Sequence, residues 1–283
     1  MNSPGAGFLS KPVAELPSSR LLRNIRGIIF DFDGTLFDNS LIPFYLTLAY
    51  PPDLLRLWKE RLVRKYFAGC DYTSPEEYYK AFFKVFGKVC LRSSKRISAW
   101  YFNRFMPRMV KVLKKHYRAR PGAIELFRRF NDLANGRTGD PLPPEASNFP
   151  PGFPKVAVYS DYPSLKERME ALGIIPDPQV LLYGPESFGA QKPAARPFRR
   201  IAGDLGVVPE EMLVIGDRED TDGLGAFKAG MRFFCLETGH KRYFRLDPYR
   251  SPKMKIGERK GPSLLMYAGT WDELIELLME KYG

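Results

Sequence analysis

Short apolar runs rich in β-branched residues alternate along this chain with segments of helical periodicity. Each run has the length of one strand and suits a sheet that is buried on both faces. The alternation favours βαβ units, so we predict an α/β fold with a doubly wound, Rossmann-like parallel sheet. The predicted strands are residues 27–33, 156–160, 180–184, 212–217 and 233–238. The predicted helices between and after them are residues 121–134, 163–172, 197–205, 222–229 and 271–283.

Residues 39–119 depart from this alternation, because they contain several amphipathic helical patterns and no convincing strand. Ser74 and Glu77 have the spacing of a capping box at a helix N-terminus. The aromatic residues that follow recur on one helical face, which favours a core position over a binding site; they are Tyr78, Tyr79, Phe82, Phe83 and Phe86. We predict an all-helical domain, 39–119, inserted into an α/β core of residues 1–38 and 120–283, with loops at 136–154 and 240–262.

The positive charge of the chain is concentrated in this predicted insertion. The 283 residues carry a formal net charge of +12, and residues 41–120 contain 18 Lys+Arg against 5 Asp+Glu. Such a surface can steer an anionic substrate, bind nucleic acid or contact an anionic membrane. It can equally consist only of the solvated faces of amphipathic helices. The sequence leaves these interpretations open.

Composition and cysteine content indicate the class of protein. With 44% hydrophobic and 27% charged residues, the chain resembles globular rather than disordered proteins. Its most apolar stretch, residues 41–50, ends at Pro51 and is shorter than the roughly 20 residues of a membrane-spanning helix. Three cysteines without paired spacing indicate neither a disulfide framework nor a zinc site. We expect a cytoplasmic protein with no transmembrane segment.

Two aspartates end the first predicted strand, in the sequence GIIFDFDGTLFD. Asp31 and Asp33 are two residues apart, so in a strand their side chains point the same way. At the carboxyl end of a central parallel strand, both would face the crevice where open α/β sheets bind ligands. Gly34 allows a sharp turn and a close approach of backbone to ligand. Two such acids are also common in ordinary loops, so residues at the ends of the other predicted strands are needed to distinguish a ligand site from a loop.

Polar residues follow the later strands as well. Ser160 ends VAVYS, and Asp217 ends MLVIGD, with Asp222 close behind it. Lys192, in QKP, precedes a helix after the third predicted strand. Because the carboxyl ends of parallel strands lie at one edge of the sheet, we expect these side chains to meet there.

The segments DFDGT, VAVYS, QKP and GDREDTD resemble, in order and spacing, the four motifs of the haloacid dehalogenase (HAD) superfamily. The helical insertion between the first and second motifs is similar to the C1 cap of the phosphoglycolate phosphatase and β-phosphoglucomutase branch. The second acid of DFDGT is typical of members that transfer phosphoryl groups, since the dehalogenases lack it. The resemblance implies a magnesium-dependent phosphomonoesterase that acts on a small phosphorylated metabolite.

The resemblance also implies a role for each residue that matches a motif. Asp31 would be the nucleophile and would form an aspartyl-phosphate. Asp33 would protonate the leaving oxygen and then activate water. Lys192 and Ser160 would bind the phosphoryl group, together with the backbone at Gly34.

The same resemblance implies a Mg²⁺ site. Its ligands would be Asp31, the backbone carbonyl of Asp33 and Asp217, with Asp222 supporting the metal shell. Asp161 stands where relatives often have asparagine or glycine, and of two roles, substrate contact or capping of the next helix, we favour the cap.

Two alternatives to a phosphatase remain at this point. A phosphomutase of the β-phosphoglucomutase type would use the same two aspartates but return the phosphoryl group to a sugar. A catalytically inactive core could instead serve as a polyanion-binding module through the basic insertion. Retention of all four motifs argues against the second alternative.

Overall fold

A six-stranded parallel sheet lies at the centre of this computed structural model, which describes residues 22–134, 154–237 and 266–282. The strands are β1 Gly27–Asp31, β2 Lys155–Tyr159, β3 Leu181–Tyr183, β4 Met212–Gly216, β5 Arg232–Leu236 and β6 Met266–Gly269. Their spatial order is β3-β2-β1-β4-β5-β6, and every neighbouring pair is parallel. The predicted doubly wound, Rossmann-like class is confirmed.

Strand β1 occupies the middle of the sheet. It pairs with β2 on one side and with β4 on the other, and all five of its residues are buried. Ile28 and Phe30 belong to an apolar cluster that contains Phe127, whereas Ile29 belongs to a second cluster that contains Phe198. Because successive side chains point to opposite faces, burial on both faces explains the uninterrupted apolar run.

Helices cover the two faces of the sheet and form an additional bundle between β1 and β2. In chain order they are α1 Ile42–Ala49, α2 Leu54–Phe67, α3 Pro75–Cys90, α4 Ser94–Trp100, α5 Met106–His116, α6 Ala123–Ala134, α7 Leu165–Ala171, α8 Pro185–Phe188, α9 Ala195–Asp204, α10 Leu224–Ala229 and α11 Trp271–Tyr282. Helices α6 and α11 contribute to the first apolar cluster, and α9 and α10 contribute to the second. The sheet is therefore wound on both sides.

Helices α1 to α5 form the predicted helical insertion. The Ser74 side chain accepts a hydrogen bond of 3.2 Å from the backbone N–H of Glu77, as the capping pattern predicts. On α3 the predicted aromatic stripe packs inward, and Tyr78, Phe82 and Phe86 are each no more than 1% exposed. These rings pack on one another and on the rings of α2 and of residues 101–105, so the stripe is core.

A wide helical turn, Tyr101–Phe105, joins α4 to α5 into one continuous helical segment. Pro107 lies just after this turn and has no N–H to donate to the preceding turn. The wider turn accommodates the missing N–H of Pro107, because it shifts the local backbone hydrogen-bond pattern without ending the helix.

The sequence patterns miss the edge strand β6. Its sequence, MYAG, is short and, apart from Tyr267, contains no residue that favours strands, yet it pairs with β5. Two predicted loops lie outside the described residues: the whole of 240–262, and residues 136–153 of the loop 136–154. Within residues 22–134, 154–237 and 266–282, no helix is both long enough and apolar enough to cross a bilayer.

Candidate active site

Three neighbouring strands bring the predicted site residues to one edge of the sheet. Asp31 is the last residue of β1, Ser160 follows β2 and Asp217 follows β4. Since β1 lies between β2 and β4, these three positions are adjacent at the carboxyl edge.

Lys192 reaches the same edge from the loop before α9. Its ammonium Nζ lies 2.5 Å from Asp31 Oδ1 and 2.7 Å from Asp222 Oδ1. It also donates a hydrogen bond of 3.0 Å to the carbonyl oxygen of Tyr159. The side chain is only 3% exposed. Burial opposes its positive charge, but Asp222 and Asp31 outweigh this effect and raise the pKa of Lys192.

Asp31 is held between this ammonium and a hydroxyl. Its second oxygen, Oδ2, accepts a hydrogen bond of 2.9 Å from Thr35 Oγ1. Burial, followed by the charge of Asp222, raises the pKa of Asp31 to about 7, although Lys192 partly offsets both effects. A fixed, desolvated carboxylate beside a lysine is a suitable nucleophile.

Three carboxylates form a cluster in which one oxygen from each lies within 4.8 Å of the others: Asp31, Asp217 and Asp222. Asp217 Oδ1 is buried and, among the described residues, has no hydrogen-bond partner. Burial, followed by the charges of Asp31 and Asp222, raises the pKa of Asp217 well above its ordinary value. Carboxylate oxygens are the ligands that Mg²⁺ prefers, so these residues fit a divalent cation. Asp222, predicted only as a support, has its carboxylate inside this cluster.

Because Gly34 has no side chain, the Asp217 carboxylate can lie against the DFDGT loop. It adopts a φ of +99°, and a Cβ atom at this position would lie 2.3 Å from Asp217 Oδ2. Any side chain would therefore both strain the backbone and displace the carboxylate. The predicted contact of Gly34 with substrate stays a prediction.

Asp33 has two donors of its own. Ser160 Oγ donates to Asp33 Oδ2 at 2.7 Å, and Arg168 Nη1 lies 2.8 and 2.9 Å from the two carboxylate oxygens. The Arg168 guanidinium also donates to Ser160 Oγ at 2.5 Å. The Ser160 hydroxyl, predicted to bind phosphate, thus donates to Asp33 in this structure.

Sequence reasoning missed Arg168, which is fully buried with its guanidinium 4.6 Å from the centre of the Phe32 ring. It lies on α7 with Leu165 and Met169, and these three residues form the buried face of the helix. An arginine at the i+3 position of an apolar helical stripe was the available signal, because a buried charge needs a partner.

Arg120, also not predicted, braces the loop that follows β1. Its guanidinium donates to the carbonyl oxygens of Gly34 and Thr35, each at 2.9 Å. The residue follows the helical bundle, so it connects the end of α5 and the start of α6 to the DFDGT loop.

The helical bundle is hydrogen-bonded to the loop that carries Lys192. The backbone N–H of Gly69 donates to the carbonyl of Lys192 at 3.0 Å, and the N–H of Gln191 donates to the carbonyl of Cys70 at 3.1 Å. Gln191 Nε2 also donates to the Tyr78 hydroxyl at 2.6 Å. These bonds close the bundle over the site, which leaves Asp31 only 7% exposed.

Arg64 of α2 makes a second connection between bundle and sheet. It donates to the carbonyl of Asp161 at 2.6 Å, and its guanidinium lies 3.8 Å from the centre of the Tyr162 ring. Our prediction that Asp161 caps the next helix is wrong. Its carboxylate instead accepts a 3.0 Å hydrogen bond from the backbone N–H of Lys192, because the loops after β2 and β3 are adjacent in space.

A cleft of about 490 Å³ lies between the bundle and the loop after β2, lined by Tyr79, Phe102 and residues 163–167. None of the predicted catalytic residues lines it.

The family model for haloacid dehalogenase-like hydrolases matches residues 25–230, which include all four motifs and the helical bundle. The chain belongs to the haloacid dehalogenase-like hydrolases. A phosphoserine phosphatase from Thermus thermophilus is 31% identical over 124 residues, which are 42% of this chain and 48% of that protein. The chain thus matches about half the length of this curated relative.

Solved structures support the fold of this HAD-like chain. A 2-haloacid dehalogenase from Pseudomonas syringae is 16% identical, with a TM-score of 0.53 over 90% of this chain and 99% of that one. The putative HAD-hydrolase YfnB from Bacillus subtilis, bound to magnesium, is 17% identical, with a TM-score of 0.51 and the same two coverages. At these identities the likeness shows a shared fold.

Proposed function

We propose that this HAD-like hydrolase cleaves small phosphate monoesters through an aspartyl-phosphate formed on Asp31, with Mg²⁺ as cofactor. One observation carries the proposal: the Lys192 ammonium contacts Asp31 beside a three-carboxylate cluster. A phosphate dianion repels an anionic nucleophile, so a phosphoryl-transfer site needs fixed positive charge next to that nucleophile. The phosphatase name of the Thermus thermophilus relative supports the same reaction class.

In the first step, a carboxylate oxygen of Asp31 attacks phosphorus, and the bond between phosphorus and the ester oxygen breaks. The leaving alkoxide takes its proton from Asp33 and departs as an alcohol. Because both oxygens of Asp33 accept hydrogen bonds from Ser160 or Arg168, the acid must exchange one of these partners for the leaving oxygen. Lys192 holds the attacking carboxylate in place throughout.

In the second step, water attacks the aspartyl-phosphate, and inorganic phosphate leaves Asp31. Asp33 accepts the proton of that water, which restores the starting state. Ser160 Oγ, once released from Asp33, would donate a hydrogen bond to the phosphoryl group.

Asp31, Asp217 and Asp222 would hold the Mg²⁺ ion. When bound, the ion neutralises charge on the transferring phosphoryl group. The buried, unpartnered Oδ1 of Asp217 supports this assignment, since such an oxygen is costly unless a cation binds it.

We propose that residues 39–119 act as a cap on a core of residues 1–38 and 120–283. A closed cap over a buried nucleophile favours a small substrate that is enclosed during the reaction. We retain the cytoplasm as the proposed location, which the three unpaired cysteines support.

The test is a screen for inorganic phosphate released from sugar phosphates, nucleotides, phosphoglycolate and phosphoserine in the presence of Mg²⁺. The intact protein should release phosphate, and Asp31→Asn should release none while still unfolding in one cooperative thermal transition. Asp38→Asn, an exposed acid in the same segment, is the matched control and should stay active. An Asp31→Asn variant with near-normal turnover would contradict the proposal, and isomerised product without free phosphate would replace it with a mutase.

A further inference from the structure

Helices α1 and α2 expose an unusual number of large apolar side chains. Phe44 and Leu48 of α1 are 58% and 65% exposed, and Leu55, Trp58 and Tyr66 of α2 are 60%, 57% and 77% exposed. Leu41, Leu54 and Leu62 are also exposed on the same helices or beside them. Single exposed apolar residues are normal, but a contiguous group marks an interaction site. We call these eight side chains the α1–α2 surface.

Their spacing shows that α2 has two apolar faces. Leu55, Trp58, Leu62 and Tyr66 follow each other at intervals of three or four residues and therefore share the solvent side of the helix. The opposite side is buried in the cap and includes Val63 and Phe67. Packing within the cap explains why the face with Val63 and Phe67 is apolar, but it does not explain the apolar residues on the solvent side.

Within residues 41–70 the exposed charges are of one sign. Between residues 41 and 70 the only acids are Asp53 and Glu60. Both are buried and ion-paired, Asp53 with Arg56 and Arg108, and Glu60 with Arg64. Exposed cations remain: Arg61 and Lys65 lie along one border of the apolar stripe, and the partly exposed Lys59 lies on the other. Residues 41–70 thus present apolar groups and cations without an exposed carboxylate, and the nearest exposed acids in sequence are Asp38 and Asp71.

We propose that the α1–α2 surface docks on an anionic phospholipid membrane. Apolar side chains bordered by lysine and arginine are what an interfacial helix uses, with the apolar stripe in the acyl boundary and the cations at the headgroups. Trp58 and Tyr66 add aromatic rings of the kind enriched at membrane interfaces. No described helix can span a bilayer, so the contact would be peripheral.

Charge and chemistry make other occupants less suitable. A second copy of this chain would bring two cationic surfaces together, and like charges repel. Nucleic acid would pair with the cations, but the exposed leucines in the middle of the surface offer no hydrogen bond to phosphate or base. A lipid surface complements both the apolar and the cationic parts.

Tryptophan fluorescence of the full chain provides a site-specific readout. The chain has three tryptophans; Trp100 and Trp271 are 6% and 5% exposed, so Trp58 is the exposed one. Adding vesicles of phosphatidylcholine with phosphatidylglycerol should shift the emission to the blue, and vesicles of phosphatidylcholine alone should shift it less. Trp58→Phe should abolish the shift while vesicles still bind the protein.

Cosedimentation with the same vesicles measures the affinity. Arg61→Gln with Lys65→Gln should weaken binding by about 25-fold at low salt, since each cation near an anionic surface contributes about five-fold. Leu55→Ser with Leu62→Ser should weaken it by at least about tenfold at any salt. The matched controls, on the exposed surface of the core, are Lys166→Gln with Arg200→Gln and Ile175→Ser, and both should bind normally.

The proposal is overturned if anionic vesicles neither shift the emission nor sediment the protein. It is also overturned if the α1–α2 variants bind as well as their controls. Salt-sensitive RNA binding without vesicle binding would assign the surface to nucleic acid. A dimer that is lost in Leu55→Ser with Leu62→Ser, again without vesicle binding, would assign it to a second copy. All variants change exposed residues, so unaltered thermal transitions should accompany each result.

Discussion

Replacing Asp217 by asparagine should stabilise the metal-free protein and remove most of the additional stability that the wild type gains from Mg²⁺. The carboxylate is buried against the Gly34 loop, has an unpartnered oxygen and shares its cluster with Asp31 and Asp222. Asparagine keeps the shape of the side chain but removes one of three negative charges. Without a cation, the substitution therefore relieves repulsion at the rim of the sheet.

The pH dependence of this effect follows from the pKa shifts. An acid whose pKa is raised on folding stabilises the fold below its unfolded pKa, and that stability is lost as pH rises through the folded pKa. For Asp31 the window runs from its ordinary 3.8 to about 7. At about 1.4 kcal/mol per pKa unit, this bounds the effect of Asp31 at about 4 kcal/mol. The pKa of Asp217 is raised in the same direction.

We expect Asp217→Asn to recover about 1–3 kcal/mol at pH 8, the usual cost of one unsatisfied buried polar group. For a chain of this size that is a rise in Tm of about 2–10 °C. The gain should shrink as pH falls towards 4, where the wild-type carboxylate is itself protonated. Mg²⁺ at about 100 times its Kd should stabilise the wild type by about 2.7 kcal/mol and the variant by much less.

Thermal unfolding in EDTA and in Mg²⁺, from pH 4 to pH 8, measures both effects. Asp220→Asn is the matched control, because Asp220 lies three residues away and pairs with Arg218 outside the cluster. The reasoning would be refuted by an Asp217→Asn protein that is less stable than wild type in EDTA at pH 8. Equal stabilisation of both proteins by Mg²⁺ would refute the ligand assignment.

Substitutions at three further positions test contacts in the site and in the helical bundle. Arg168→Lys keeps the charge but has a single donor nitrogen, so it cannot contact both Asp33 and Ser160 as the guanidinium does, and kcat should fall by at least about tenfold with little change in KM. Arg168→Met should cost about 3–5 kcal/mol of stability on denaturant unfolding. Arg64→Ala removes the contact with Asp161 and should raise the susceptibility of the cap to proteolysis; unchanged cleavage would argue against a role in closure. Ser74→Ala should lower the free energy of unfolding, measured by urea titration, by about 1 kcal/mol. An unchanged free energy of unfolding would mean that the hydrogen bond from Glu77 to the Ser74 side chain is not formed in solution.

The strand-end residues could be located from sequence because topology leaves them little freedom. Once 27–33, 156–160 and 212–217 are assigned to one parallel sheet, their carboxyl ends must share an edge, and Asp31, Ser160 and Asp217 must lie there. The position of Lys192 can be inferred in the same way, because it lies in a loop that follows the third strand. Strand β6 could not be found this way, because its strand conformation depends on pairing with β5 and not on the strand propensity of its own residues.

Arg168 was beyond this reasoning because its partner Asp33 is 135 positions away and the arginine is on a helix, not at a strand end. Charge balance nevertheless requires such a residue. The rim gathers four carboxylates, Asp31, Asp33, Asp217 and Asp222, and among the described residues Lys192 and Arg168 are the buried cations that contact them directly. Arg168 contacts Asp33, and Lys192 is shared by Asp31 and Asp222, so these carboxylates outnumber the buried cations that contact them, and a divalent cation would offset the excess. An arginine on the apolar face of a helix is therefore a residue to look for when a sequence places several acids at strand ends, because a buried cation needs a partner.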